Sequence, residues 1–146
     1  MKIVGGIIIL IASITVSYFY ENTKKAEIKA LKQIKDFVLY IKIQIELFSL
    51  PLSEIFTKYK HTSDVIKELI ETKQVSVFNK QIRDELFDCF SVLGTGFKDE
   101  QLSRLTYLIV FLDKAITERE KDYPQKIKVN RALSLFVGCS TVILLI

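Results

Sequence analysis

An uncharged run from Ile3 to Tyr20, IVGGIIILIASITVSYFY, constrains this chain more than any other feature. As a helix rising 1.5 Å per residue it is roughly 27 Å long, close to the ~30 Å hydrocarbon thickness of a bilayer. It predicts a membrane-spanning helix. A cleaved leader is the competing reading, because Lys2 precedes the apolar stretch. The run exceeds a usual leader core, however, and Tyr18, Phe19 and Tyr20 stand where a cleavage site needs small residues. It is therefore expected to be an uncleaved anchor whose aromatic end suits the headgroup layer.

A second apolar run, Ala132 to Ile146, follows Lys128 and Arg131. At roughly 22 Å as a helix it is short for a span, a mismatch that bilayer thinning and snorkelling of the two basic residues can absorb. Lys24, Lys25, Lys29, Lys32 and Lys35 follow the first run, and Lys121, Lys126, Lys128 and Arg131 precede or flank the second. Positive flanks mark the cytoplasmic side. A hairpin is predicted, with both termini outside and the middle inside: a transmembrane helix at 1–20, a cytoplasmic helical bundle at 21–131 and a transmembrane helix at 132–146. Lys24, Lys25, Lys128 and Arg131 are its membrane-flanking basic residues.

The 146 residues make about one domain, with 49% hydrophobic and 26% charged residues and a mean hydropathy of +0.27. That mixture fits apolar ends and a charged middle. The net charge of +4 does not call for nucleic acid, because lysines beside the spans find an anionic leaflet worth about 1 kcal/mol each. Cys89 and Cys139 fall on different predicted elements, so no disulfide is expected and each reads as a small packing residue.

The middle is helical by its periodicity. Ile28, Leu31, Ile34, Val38, Ile41, Ile45 and Phe48 recur every three or four residues, with Lys29, Lys32, Asp36 and Lys42 opposite. Pro51 breaks this helix and can sit in the first turn of a short one carrying Leu52, Ile55, Phe56 and Tyr59. Another starts near HTSDV, with Thr62 or Ser63 as N-cap and Val65, Ile66, Leu69 and Ile70 on its apolar side. A longer helix from about Phe78 to Leu93 carries Phe78, Ile82, Leu86, Phe90 and Leu93, and it ends at LGTGF, where Gly94 and Gly96 form a turn. The last begins near Lys98 or Asp99 and carries Leu102, Leu105, Ile109, Leu112 and Ile116, a stripe that should pair antiparallel with the helix before the turn. Pro124 should kink or restart it. The fold class is all-α, a membrane-anchored helical bundle between two terminal transmembrane helices.

Nothing in this pattern assembles a catalytic, cofactor-binding or metal-ligating group. His61 is the one histidine and lies in a polar turn, YKHTS, without carboxylates or thiols at ligand spacing. Asp84, Glu85 and Asp88 fall on the wet face of one helix. The glycines of LGTGF are followed by no Lys-Ser/Thr pair and preceded by no strand, so they are not a phosphate loop. The chain reads as a non-enzymatic scaffold.

The arrangement resembles the stage III sporulation protein AB family of endospore-forming bacteria. The resemblance rests on the N-terminal span, the Pro51-Leu52-Ser53-Glu54 element and the turn Leu93, Gly94, Gly96 followed by Asp99 and Gln101. A long helix with Leu112 and Ala115 then runs through a basic stretch into an apolar tail. The chain departs from the family pattern in a shorter middle, a compressed LGTGFKDEQ turn and Pro124. The resemblance implies a non-enzymatic subunit of the mother-cell membrane, similar in its cytoplasmic helices to the platform proteins of type II secretion and type IV pilus machines. Its implied partners are a hexameric secretion-type ATPase, stage III sporulation protein AA, and other membrane subunits of a transenvelope complex. On that reading Glu54, Asp99 and Gln101 face the partner, while Pro51, Gly94 and Gly96 shape turns. The alternative class is a small membrane-anchored regulator or holin-like pore, which would permeabilise cells when overproduced.

Overall fold

The structure, a computed structural model, describes residues 2–59 and 63–145. All its regular structure is helical, in five helices: α1 (Lys2–Phe48), α2 (Leu52–Lys58), α3 (Asp64–Thr72), α4 (Lys80–Val92) and α5 (Lys98–Leu145). Among the described residues, α1 is the one helix with a stretch long and apolar enough to cross a membrane. The chain forms two compact units, one of Lys29–Thr117 and one of the two chain ends, Met1–Ile28 with Glu118–Ile146.

In the unit of Lys29–Thr117, all five helices contribute to one hydrophobic core. Leu31, Ile34, Val38, Ile41 and Ile45 of α1 are buried, as their spacing predicts, and so is Phe37. The Phe37 ring lies 4.7 Å from that of Tyr59, 6.0 Å from Phe56 and 6.4 Å from Phe90, centroid to centroid. It ties α1 to α2 and α4. Ile55, Leu69, Leu86, Leu105, Leu108 and Leu112 are fully or almost fully buried around it. Helices as short as α2 and α3 do not persist alone in water, so this shared core is what holds them.

Local chemistry sets the boundaries. Ser49, in a left-handed conformation (φ 50°), ends α1, and the extended backbone of Pro51 opens α2. Ser63 stands at the N-cap of α3, but its hydroxyl donates to Gln33 Oε1 at 2.9 Å and makes no cap bond. His61 and Thr62 lie outside the described residues. Helix α4 starts at Lys80, two residues later than its apolar spacing predicts, because the Asn79 side chain accepts from Ile82 N at 3.2 Å and caps it there. Phe78 remains buried ahead of the cap. The ends of the α1 stripe depart from expectation: Ile28 is half-buried and Phe48 is exposed.

Helix α5 does not restart at Pro124; it is continuous through that residue. A proline removes one amide donor, and the turns on either side keep theirs.

In the unit built from the chain ends, the first part of α1 and the last part of α5 pack as an antiparallel pair. A Cβ on Gly138 would lie 3.0 Å from Leu10 Cδ2 and 3.4 Å from Ser13 Oγ, and one on Gly6 would lie 3.3 Å from Val142. Each glycine thus admits a side chain of the other helix. The outward faces carry exposed apolar residues, among them Ile7, Ile11 and Ile14 on α1 and Leu133, Phe136 and Ile143 on α5.

Both cysteines are free. Cys139 is exposed on α5, contrary to the packing role expected for it, because the close approach of the helices is made by Gly138 next to it. Cys89 is buried on α4, and burial pushes its thiol up to about 11. At pH 8 its thiolate fraction is then on the order of 0.1%, against roughly a quarter for an unperturbed thiol. Iodoacetamide at pH 8 should therefore modify Cys89 at least a hundredfold more slowly in the folded chain than in denaturant, read by peptide mass spectrometry.

Candidate functional site

The Pro-Leu-x-Glu element and the glycine turn, far apart in sequence, meet in space. Leu52 packs so closely on Gly94 that a Cβ there would stand 2.8 Å from Leu52 Cδ1. Gly94 also has φ +92°, a conformation that L side chains rarely adopt. Beside this contact, a groove of about 300 Å³ is lined by Ile45, Ser49, Pro51, Leu52, Lys98 and Gln101 among others.

Polar contacts fix the walls of this groove. Gln101 uses both ends of its amide: Oε1 accepts from Gly94 N at 3.2 Å, and Nε2 donates to Gly96 O at 2.7 Å. Lys98 Nζ donates to Glu46 O at 2.9 Å and Ser49 Oγ at 3.0 Å, satisfying the C-terminal end of α1. Gly96 is less constrained than Gly94, because its near neighbour is the flexible Glu100 carboxylate, 3.1 Å from a built Cβ.

Of the charges expected to face a partner, one lies on α2 and the other on α5, just after the glycine turn. Glu54 is exposed on α2 and paired with Lys58 at 2.7 Å. Asp99 is exposed in the first turn of α5. Gln101 is half-buried and engaged with the turn. Next to Asp99, Phe97 is 87% exposed, a feature that its place in the LGTGF turn gave no reason to single out.

A second polar cluster lies within the unit of the chain ends. Glu21 is buried on α1 at 9% exposure, the one charged side chain among the buried residues described. Its carboxylate accepts from Arg131 Nη2 at 2.5 Å and Tyr123 OH at 3.4 Å, both on α5, and pairs with Lys25 Nζ at 3.1 Å. One turn earlier, buried Ser17 accepts from Asn130 Nδ2 at 3.3 Å. Farther along, Glu27 pairs with Lys24 and with Arg119, each at 3.0 Å.

Three of the basic residues expected to flank the membrane, Lys24, Lys25 and Arg131, are thus paired with carboxylates, while Lys128 is exposed. Glu21 and Glu27 escape a reading that looks for basic flanks. The available signal was Glu21 placed four residues before Lys25, the favourable helical spacing. The pairing of Glu21 with Arg131 has no local signature.

Among the described residues, no three side chains of the metal-ligating types come together. Comparisons with curated proteins and with solved structures each return no match. The family model for stage III sporulation protein AB matches residues 61–146, a stretch that includes the glycine turn, α4 and all of α5. The chain belongs to the stage III sporulation protein AB family.

Proposed function

We propose that this sporulation protein is a non-enzymatic, two-span membrane subunit of a transenvelope complex, coupling a cytoplasmic secretion-type ATPase, stage III sporulation protein AA, to the membrane. The family match over residues 61–146 carries this reading. The exposed apolar faces on both chain ends support two spans, since isoleucine, leucine and phenylalanine that no part of the chain covers suit a lipid surround. Tyr18, Phe19 and Tyr20 then lie at the headgroup level of the first span, and the lysines that follow it hold the central region in the cytoplasm, on the mother-cell side.

The ATPase-facing surface is the junction of α2 with the glycine turn. Two elements meet there through a tight contact, Leu52 on Gly94, so a push on one is felt by the other. Glu54 and Asp99 supply its charges, and Gln101 holds the turn that presents Asp99. Charge reversal of both, Glu54→Lys with Asp99→Lys, should reduce co-purification of the ATPase by tenfold or more from membranes co-expressing the two proteins. The substitutions lie on exposed helix positions, so the helical circular dichroism should be unchanged. Undiminished co-purification of the variant overturns the surface.

A further inference from the structure

We infer that the N-terminal helix is the insertion partner of the C-terminal apolar segment, which crosses the bilayer only when Ser17 and Glu21 are present to accept its polar inner end. The inference rests on the two-span reading above and adds a dependence of the second span on the first.

The need follows from length. Ala132 to Ile146 supplies fifteen uncharged residues, three of them hydroxyl-bearing (Ser134, Ser140 and Thr141), whereas a span takes roughly twenty. To cross, the segment must draw in the turn before it, Lys128 to Arg131, where Lys128 is exposed and its long stem can snorkel, while Asn130 and Arg131 meet the first helix. Alone, these side chains would enter the edge of the hydrocarbon with an unsatisfied amide and an unpaired guanidinium, which opposes insertion. Snorkelling relieves part of this burden.

The first helix offers a matched set of acceptors. Ser17 receives the Asn130 amide and Glu21 receives the Arg131 guanidinium and the Tyr123 hydroxyl. Glu21 has the converse problem, a carboxylate one residue beyond an apolar run, and Arg131 answers it. Deeper in the pair, Gly138 closes on Leu10 and Ser13, and Val142 on Gly6. The polar contacts and the glycine contacts belong to one antiparallel alignment, so the segment gains its polar partners and its close packing together.

Cys139, beside Gly138 and far from either end of a spanning segment, reports insertion. Full-length protein in native membrane vesicles, opened so that both faces are accessible, is treated with a charged maleimide, and Cys139 modification is read by peptide mass spectrometry against a detergent-denatured control. The wild type should be shielded. Ser17→Leu with Glu21→Leu makes the first helix more apolar, so its own insertion is not impaired, yet Cys139 modification should rise at least fivefold. Adding Asn130→Leu and Arg131→Leu to that variant removes the two groups of the inner turn that lost their acceptors on the first helix and should restore shielding. Shielding of Cys139 in both the wild type and the Ser17→Leu/Glu21→Leu variant overturns the dependence alone. Accessible Cys139 in the wild type overturns the two-span reading and the dependence with it.

Discussion

Phe37→Ala is expected to lower the unfolding free energy of the chain by about 3–5 kcal/mol, the range for removing a fully buried aromatic side chain. The ring is fully buried, and its three aromatic neighbours come from α2, the segment just after α2 and α4. No one of those elements can collapse into the vacated space without losing its own packing, which places the expected cost toward the upper end. Because α2 has seven residues and a single fully buried side chain, Ile55, it is the element that the loss should release first. Urea titration of the detergent-solubilised protein, followed by the helical signal at 222 nm, should show the midpoint move sharply down. Hydrogen exchange should show the amides of Ile55 to Tyr59 losing protection before those of α5. Phe37→Leu, which keeps much of the volume, should cost less. Equal midpoints for wild type and Phe37→Ala would remove Phe37 from the centre of the core.

Gly94→Val is expected to cost about 2–4 kcal/mol, from a left-handed backbone forced on a β-branched residue together with overpacking against Leu52. The two contributions are separable. Leu52→Ala removes the Cδ1 that a new Cβ would meet at 2.8 Å, so it should recover the packing part in a Gly94→Val background and leave the backbone part at φ +92° in place. Urea midpoints of the two single variants and the double variant give the coupling. Additive losses would mean that Leu52 and Gly94 do not press on each other. If the proposed ATPase-facing surface holds, the same substitution should also weaken ATPase co-purification, because the turn that Gln101 braces leads into the helix that carries Asp99.

The helical class, the buried stripe Leu31 to Ile45, the apolar positions of α4 and the glycine turn were all legible in the sequence, because each depends on spacing or on a residue with one strong backbone preference. Phe37 was not. It stands next to Val38, outside a stripe read in steps of three and four, and it is buried because α1 is covered on a wider arc than a two-helix seam would cover. At the other extreme Phe48 keeps the rhythm of the stripe but lies exposed, since α1 ends with it. Spacing describes a helix face and is silent on where its neighbours stop.

The polar features divide in the same way. Pro51 and Gly94 act through their own backbones and can be read singly. Gln101, by contrast, looks like a surface amide in the sequence and is half-buried, because both its ends satisfy the turn seven and five residues before it. Glu21 and Arg131 are separated by 110 positions, and nothing local joins them. A tendency of basic residues to flank membranes accounted for Arg131 alone and so gave no reason to look for a carboxylate opposite.

The reciprocal notches of the two terminal helices have a mechanical consequence. Gly6 on one helix admits Val142, and Gly138 on the other admits Leu10, so each helix is both key and lock. A slide of one helix along the other by a single turn would withdraw both keys at once and set bulky side chains against backbone that only a glycine suits. With the Glu21–Arg131 pair also fixing the alignment, lengthwise slip between the two would break polar and packing contacts together. A lengthwise displacement of one helix of this pair therefore carries the other with it, without shear between the two.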